Sequence, residues 1–150
     1  MEVKFTRSES VAGVIRQLVQ EASNSIDGAL YRFSHPGLAQ ALEEAVHRGV
    51  RVRLLVDANK YKESRTTQGL LASTIVPFRL GFGRQGRGSK MHNKFVILDQ
   101  QIVLTGSYNW TLESEDENHE NLLILQDPYP VNAYSQEFEA LWRGAGREDA

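Results

Sequence analysis

The chain contains no cysteine, which excludes disulfides and thiolate metal sites and fits a reducing compartment. It also lacks an excess of positive charge. The formal net charge is −2, so nothing global draws the chain to nucleic acid or an anionic membrane, and a polyanion must be met by a local patch. No run approaches the roughly 20 apolar residues of a membrane span, and the start, MEVKFTRSES, lacks the apolar segment of a signal peptide. The expectation is a cytoplasmic protein with no membrane anchor, or a periplasmic or secreted one whose signal has been removed. Repeats, long linkers and low-complexity tracts are missing as well. What remains is 150 residues, read as one domain over 1–150 that buries roughly 70% of its unfolded surface without covalent staples.

Within that length, helical and extended patterns alternate. Val3 to Phe5 reads as a short strand. Val11, Val14, Ile15, Leu18, Val19 and Ala22 then share one face at helical spacing, behind a serine cap at Ser8 or Ser10. Ser25 to Phe33 reads as a strand. Ser34-His35-Pro36 opens a second helix with proline at its first position, and Gly49 stops it. Val50 to Asp57 is strand-like, so Ser25 to Asp57 forms a βαβ unit with a right-handed crossover. A short helix is expected near Thr67 to Ser73. A strand is expected over Ile75 to Leu80, with Pro77 placing it at an edge. Met91 to Asp99 and Ile102 to Thr105 read as strands joined by a tight turn. Thr111 to Asn118 reads as an acidic loop or frayed helix, and Leu122 to Leu125 as a strand. Val131, Tyr134, Phe138, Leu141 and Trp142 mark a last helix that Gly144 stops, with a disordered tail after it. The fold class is α/β, a mixed, largely parallel sheet with helices on both faces.

Gly81, Gly83 and Gly86 spell G-x-G-x-x-G. A dinucleotide fingerprint must open a helix, whereas a strand pattern follows here, so no cofactor is expected. The stretch Gly81 to Ser89 is read either as a flexible connection or as a mobile basic flap, with Arg84, Arg87 and Lys90 meeting a phosphate chain.

The residues that carry chemistry lie between Lys90 and Asn121. His92 and Lys94 alternate onto one face of their strand. An imidazole beside an ammonium suits a phosphodiester: the lysine balances charge on non-bridging oxygens, and the histidine attacks phosphorus or carries a proton. The hairpin returns Ser107 and Asn109 as neutral donors for the remaining oxygen. Glu120 supplies a carboxylate to accept one ring N–H of His92 and free the other nitrogen. Asp99 ends the strand and is read as support, fixing the turn or a nearby donor. Each residue has an ordinary reading when taken singly: a half-buried histidine, a turn aspartate, a serine–asparagine cap, one acid in the run from Glu113 to Glu117. Together their roles interlock. Trp110 is placed either on a base or in a core or dimer contact. His119 beside Glu120 lacks the two further ligands a metal needs, so no metal is expected. His35 is read as the cap of the helix after it.

His92-x-Lys94-x4-Asp99, then Gly106-Ser107-x-Asn109, then Glu120-Asn121, resembles the phospholipase D superfamily, and the single copy in a short chain resembles its small bacterial endonuclease branch. The resemblance implies an αβα sandwich and a two-step, metal-independent displacement. One histidine forms a phosphohistidine; a second protonates the leaving oxygen and then activates water. His35, His47 and His119 lack the neighbouring lysine and aspartate, so the second histidine is expected to be His92 of another copy, in a homodimer with a shared active site. The leading expectation is an endonuclease acting on DNA or RNA with little sequence preference. The alternatives are a phospholipid headgroup phosphodiesterase and a non-catalytic phosphate-backbone binder. The intact His92, Lys94 and Glu120 argue against the last, since binding alone needs no nucleophile.

Overall fold

The computed structural model describes residues 1–146. Its elements run β1 (Glu2–Phe5), α1 (Val11–Glu21), β2 (Ser25–Leu30), α2 (Pro36–His47), β3 (Arg51–Asp57), α3 (Ala58–Glu63) and α4 (Arg65–Ser73). They continue with β4 (Phe78–Gly81), β5 (Lys94–Leu98), β6 (Ile102–Gly106), α5 (Leu112–Asp116), β7 (Asn121–Leu125) and α6 (Pro128–Arg143).

The strands form one seven-stranded sheet in the order β1-β7-β6-β5-β2-β3-β4. It is mixed, as expected, but its pairings are not largely parallel. Only β2–β3 and β3–β4 pair in parallel, and every other neighbour is antiparallel. The reason is in the connections. Helices cross over between β2, β3 and β4 and keep the strand direction, whereas β5 to β6 is a tight turn and β6 to β7 a short loop with one helical turn, and both reverse it.

Alternation along the strands sends side chains to two cores. Ile26, Leu30, Val56, Val96 and Leu98 face α1, α2 and α4. Ala29, Leu55, Phe95 and Ile97 face α6 through Val131 and Phe138. Helices therefore cover both faces. On the α6 face, Arg53 binds the buried Asp27 at 2.8 Å and Glu139 of α6, and its guanidinium lies 5.0 Å from the Phe138 ring centroid. Burial disfavours that charge, but the hydrogen bonds to Glu139 and Asp27 outweigh it and raise the Arg53 pKa.

Several boundaries move, each for a local reason. β2 ends at Leu30 rather than Phe33. β4 begins only at Phe78, after Pro77 has removed a ladder donor, and is the edge strand the proline implies. The polar stretch after Asp57 holds two helices instead of one. The Asp57 carboxylate caps Lys60 N at 3.0 Å, and Ser64 Oγ caps Thr67 N at 3.1 Å. The glycine-rich stretch is internally bonded rather than a free connection. Gly83 N donates to Ser89 O, Ser89 Oγ accepts from Gln85 N, and a Cβ on Gly83 would lie 2.5 Å from the Lys90 backbone. After α6, Gly146 pairs with Leu80 through both main-chain groups. The remainder of the tail expected to be disordered, 147–150, lies outside the described residues.

Candidate active site

The register puts one end of the sheet in line. Phe5 is opposite Asn121, Gly106 opposite Leu122, Lys94 opposite Leu30, and Asp57 opposite Gly81. This end carries the carboxyl termini of β2, β3 and β4, where open α/β sheets place their ligands. His92, Lys94, Ser107, Asn109 and Glu120 all sit here.

His92 lies two residues before β5, because Asp57 takes the chain out of the ladder. One oxygen of this fully buried carboxylate accepts from Met91 N at 2.8 Å, and the other caps α3. Asn93 O accepts from Tyr31 N at 2.9 Å. The imidazole is exposed, and one side of it packs against the Tyr31 ring, with centroids 4.3 Å apart and planes tilted by 54°. Lys94 curls back, with Nζ donating to His92 O at 3.0 Å and lying 3.4 Å from His92 Nδ1. Partial burial, then the fields of Lys94 and Lys90, lower the His92 pKa, with Asp57 opposing. The shift favours the neutral imidazole, the form that attacks, over the imidazolium. Burial also lowers the Lys94 pKa, against the field of Glu120.

Glu120 is the hub of a second cluster. Its carboxylate accepts from Ser107 Oγ at 2.6 Å, Ser114 Oγ at 2.9 Å and Asn118 Nδ2 at 3.1 Å. Its main-chain N–H donates to Thr6 Oγ1 at 2.8 Å. Within one chain it makes no hydrogen bond to His92, so the expected carboxylate–imidazole pair is absent among the described residues. Three nearer donors already occupy it. The Ser107 hydroxyl gives its proton to Glu120 and accepts from Asn121 N at 3.0 Å, so here it orients the carboxylate instead of offering a proton to phosphate. Asn109 donates its main-chain N–H to Ser114 Oγ at 3.2 Å, while its own Oδ1 is buried with no partner among the described residues.

Two candidates do not join this cluster. Asp99 follows β5 at the opposite end of the sheet, where its carboxylate accepts from Ser23 N, Asn24 N and Ser25 N. It touches no reacting group and does the supporting work expected of it. Trp110 is 2% exposed and packs on Phe33 with centroids 6.4 Å apart, so it is a core residue and does not stack on a base. Arg84, Arg87 and Lys90 are all exposed. Lys90 is near enough to act on His92, whereas Arg87 lies 5.8 Å from the Phe82 ring centroid. His35 caps α2, its Nδ1 accepting from Gly37 N at 3.1 Å and Leu38 N at 3.3 Å.

Sequence reasoning missed Tyr31, Asp57 and Glu115. The first two each close an apolar strand with a polar group, which is a usable signal. Glu115 stood inside an acidic run read as solvated, yet it accepts from Ser10 Oγ, Ala12 N and the Tyr108 hydroxyl and so fixes the start of α1. A cavity of about 400 Å³ opens beside Glu120, lined by Phe5, Arg7, His119 and Asn121. Among the described residues no group of three or more His, Cys, Asp or Glu is placed to hold a metal ion, and no helix is long and apolar enough to cross a membrane.

Residues 15–142 match the family described as "Cardiolipin synthase, PLD-like domain". The mitochondrial cardiolipin hydrolase of Xenopus tropicalis is 40% identical over 126 residues, covering 84% of this chain and 58% of that protein. The chain thus spans less than two thirds of that relative's length. Among solved structures, NucT from Helicobacter pylori superposes with a TM-score of 0.84 at 22% identity, covering 97% of this chain and 99% of that one. Nuc from Salmonella typhimurium, a phospholipase D family member, gives 0.86 at 24% identity, covering 96% and 94%. The two solved structures share the fold, and the family match takes in every element from within α1 to within α6. The chain belongs to the phospholipase D-like family.

Proposed function

We propose that the protein is a metal-independent endonuclease that cleaves DNA or RNA through a phosphohistidine at His92, in a homodimer whose two copies share the site. The observation that carries this reading is His92 itself: an exposed imidazole with Lys94 Nζ 3.4 Å from its Nδ1, and no second histidine in contact among the described residues. In the first step a ring nitrogen of the neutral His92 forms a bond to phosphorus and the ester P–O bond breaks, the leaving oxygen taking its proton from the other copy's His92, which enters this step as the imidazolium and leaves it neutral. In the second, that imidazole takes a proton from water, the hydroxide bonds to phosphorus, and the P–N bond breaks. Lys94 balances charge on the non-bridging oxygens and the side-chain NH2 of Asn109 offers a further donor. The general acid–base role is worth about 10²–10⁴ in rate. The open basic flank favours a long polyanion, and with a net charge of −2 its binding is salt-sensitive.

A second reading is a phospholipid headgroup phosphodiesterase. It is favoured by the cardiolipin hydrolase relative and by the exposed Val3 and Phe5 on β1, at the edge of the same sheet end. A panel of single-stranded DNA, duplex DNA, RNA and cardiolipin vesicles, run in excess EDTA, separates the two. We expect nucleic acid to be cleaved with EDTA present, and His92→Ala to be folded and inactive on every substrate. Turnover of vesicles alone transfers the assignment to lipid, and loss of all activity on chelation removes the mechanism.

A further inference from the structure

Tyr31 has no part in the steps above, yet it is the residue most closely packed on their nucleophile. It follows β2 and is 7% exposed. Its main-chain N–H holds Asn93 O, which fixes the backbone next to His92. Its ring forms a wall behind the imidazole at 4.3 Å between centroids. The same ring carries Lys94 Nζ at 5.4 Å and Lys60 Nζ at 5.7 Å from its centroid, the placement that attracts a cation to an aromatic face.

We propose that Tyr31 is the positioning residue of the nucleophile, a platform that sets the imidazole plane of His92 and keeps Lys94 beside it. The inference rests on reading His92 as the nucleophile. A side chain that approaches phosphorus must arrive with its lone pair aligned, and a freely turning imidazole spends most of its time elsewhere. Among the described residues no carboxylate fixes the ring, since Glu120 is engaged with Ser107, Ser114 and Asn118. The groups facing His92 are Lys94 from β5, Lys90 from the glycine-rich stretch, Asp57 from the end of β3, and Tyr31. Lys60, from α3, sits over the Tyr31 ring. Only Tyr31 among them offers a flat apolar surface, so it both restricts the ring and takes water from one side of it.

The test follows the His92 ring resonances of the full chain by NMR, assigned from their loss in His92→Gln, alongside kcat and KM on bis(p-nitrophenyl) phosphate across pH. Tyr31→Phe keeps the platform and is expected to retain both the His92 titration and kcat. Tyr31→Ala lets water reach the imidazole. Its His92 midpoint is expected to rise, the acidic limb of kcat/KM to move to higher pH with it, and kcat to fall on the order of ten- to a hundredfold with KM little changed. Tyr31→Leu preserves bulk if the alanine variant unfolds, and is expected to lose kcat as well because it has no flat face. Wild-type kcat and an unchanged His92 titration in the folded alanine or leucine variant overturn the role of Tyr31. Activity surviving in His92→Gln overturns the nucleophile instead.

Discussion

Asp99 gathers the N–H groups of Ser23, Asn24 and Ser25 onto one carboxylate, a strand's length from His92. Burial works to raise its pKa, but these donors outweigh it and hold the group below the ordinary carboxylate value. With the folded pKa depressed, the stabilisation is full above the unfolded pKa of about 3.9 and is lost as pH falls through the folded one. Asp99→Ala is therefore expected to cost about 1–3 kcal/mol at pH 7. The gap to wild type should narrow in urea titrations run towards pH 3, while kcat of the folded fraction stays close to wild type. A catalytic Asp99 would reverse that pattern, with lost turnover and unchanged stability. The same residue marks what single positions disclose. His92, Lys94 and Glu120 were legible as candidates because their types and spacing match a known chemistry, and Asp99 was legible as the residue that fixes a turn because it ends a strand there. Tyr31 and Asp57 were not, since their roles depend on neighbours that only the register of β2, β3 and β5 supplies. Trp110 was ambiguous for the same reason, because burial is a property of the fold.

At the level of elements, the site depends on how β6 meets β7. Gly106 has φ +148°, and a Cβ there would collide with the main-chain oxygen of Asn121. That close approach lets Ser107 reach both Glu120 and Asn121. Gly106→Ala is expected to cost about 1–3 kcal/mol and to lower activity by shifting the Ser107–Glu120 pair. Gly49→Ala is the control: its φ of +95° is also left-handed, but open space surrounds it, so thermal denaturation should show a smaller loss and kcat should not move. Elements with a strong apolar period were readable in advance, including α1, α2, α6 and the central strands. α3 and α4 were only half seen, because they are short, polar and held by caps instead of a broad buried face. The β5–β6 hairpin was readable from its tight turn, but the antiparallel pairing of β5 with β2, of β6 with β7 and of β7 with β1 was not, because alternation identifies strands without stating which neighbour each one takes.

For the molecule as a whole, the proposed shared site makes activity a property of pairs. The 16.9-kDa chain is expected to sediment as a dimer. Wild-type chain refolded with an excess of His92→Ala should lose activity per wild-type chain, since a mixed pair holds one imidazole where two are needed. An active species that sediments strictly as a monomer contradicts the arrangement. The sheet also imposes an order in time. Its outer strand pairs Glu2–Phe5 with residues 121–124, and Thr6 reaches across to Glu120 and Asn118. A chain emerging from the ribosome amino end first exposes His92 well before β7 exists to receive β1. The carboxylate cluster closes only when nearly the whole described chain has been made, so a growing polypeptide carries the nucleophile without the finished cleft around it.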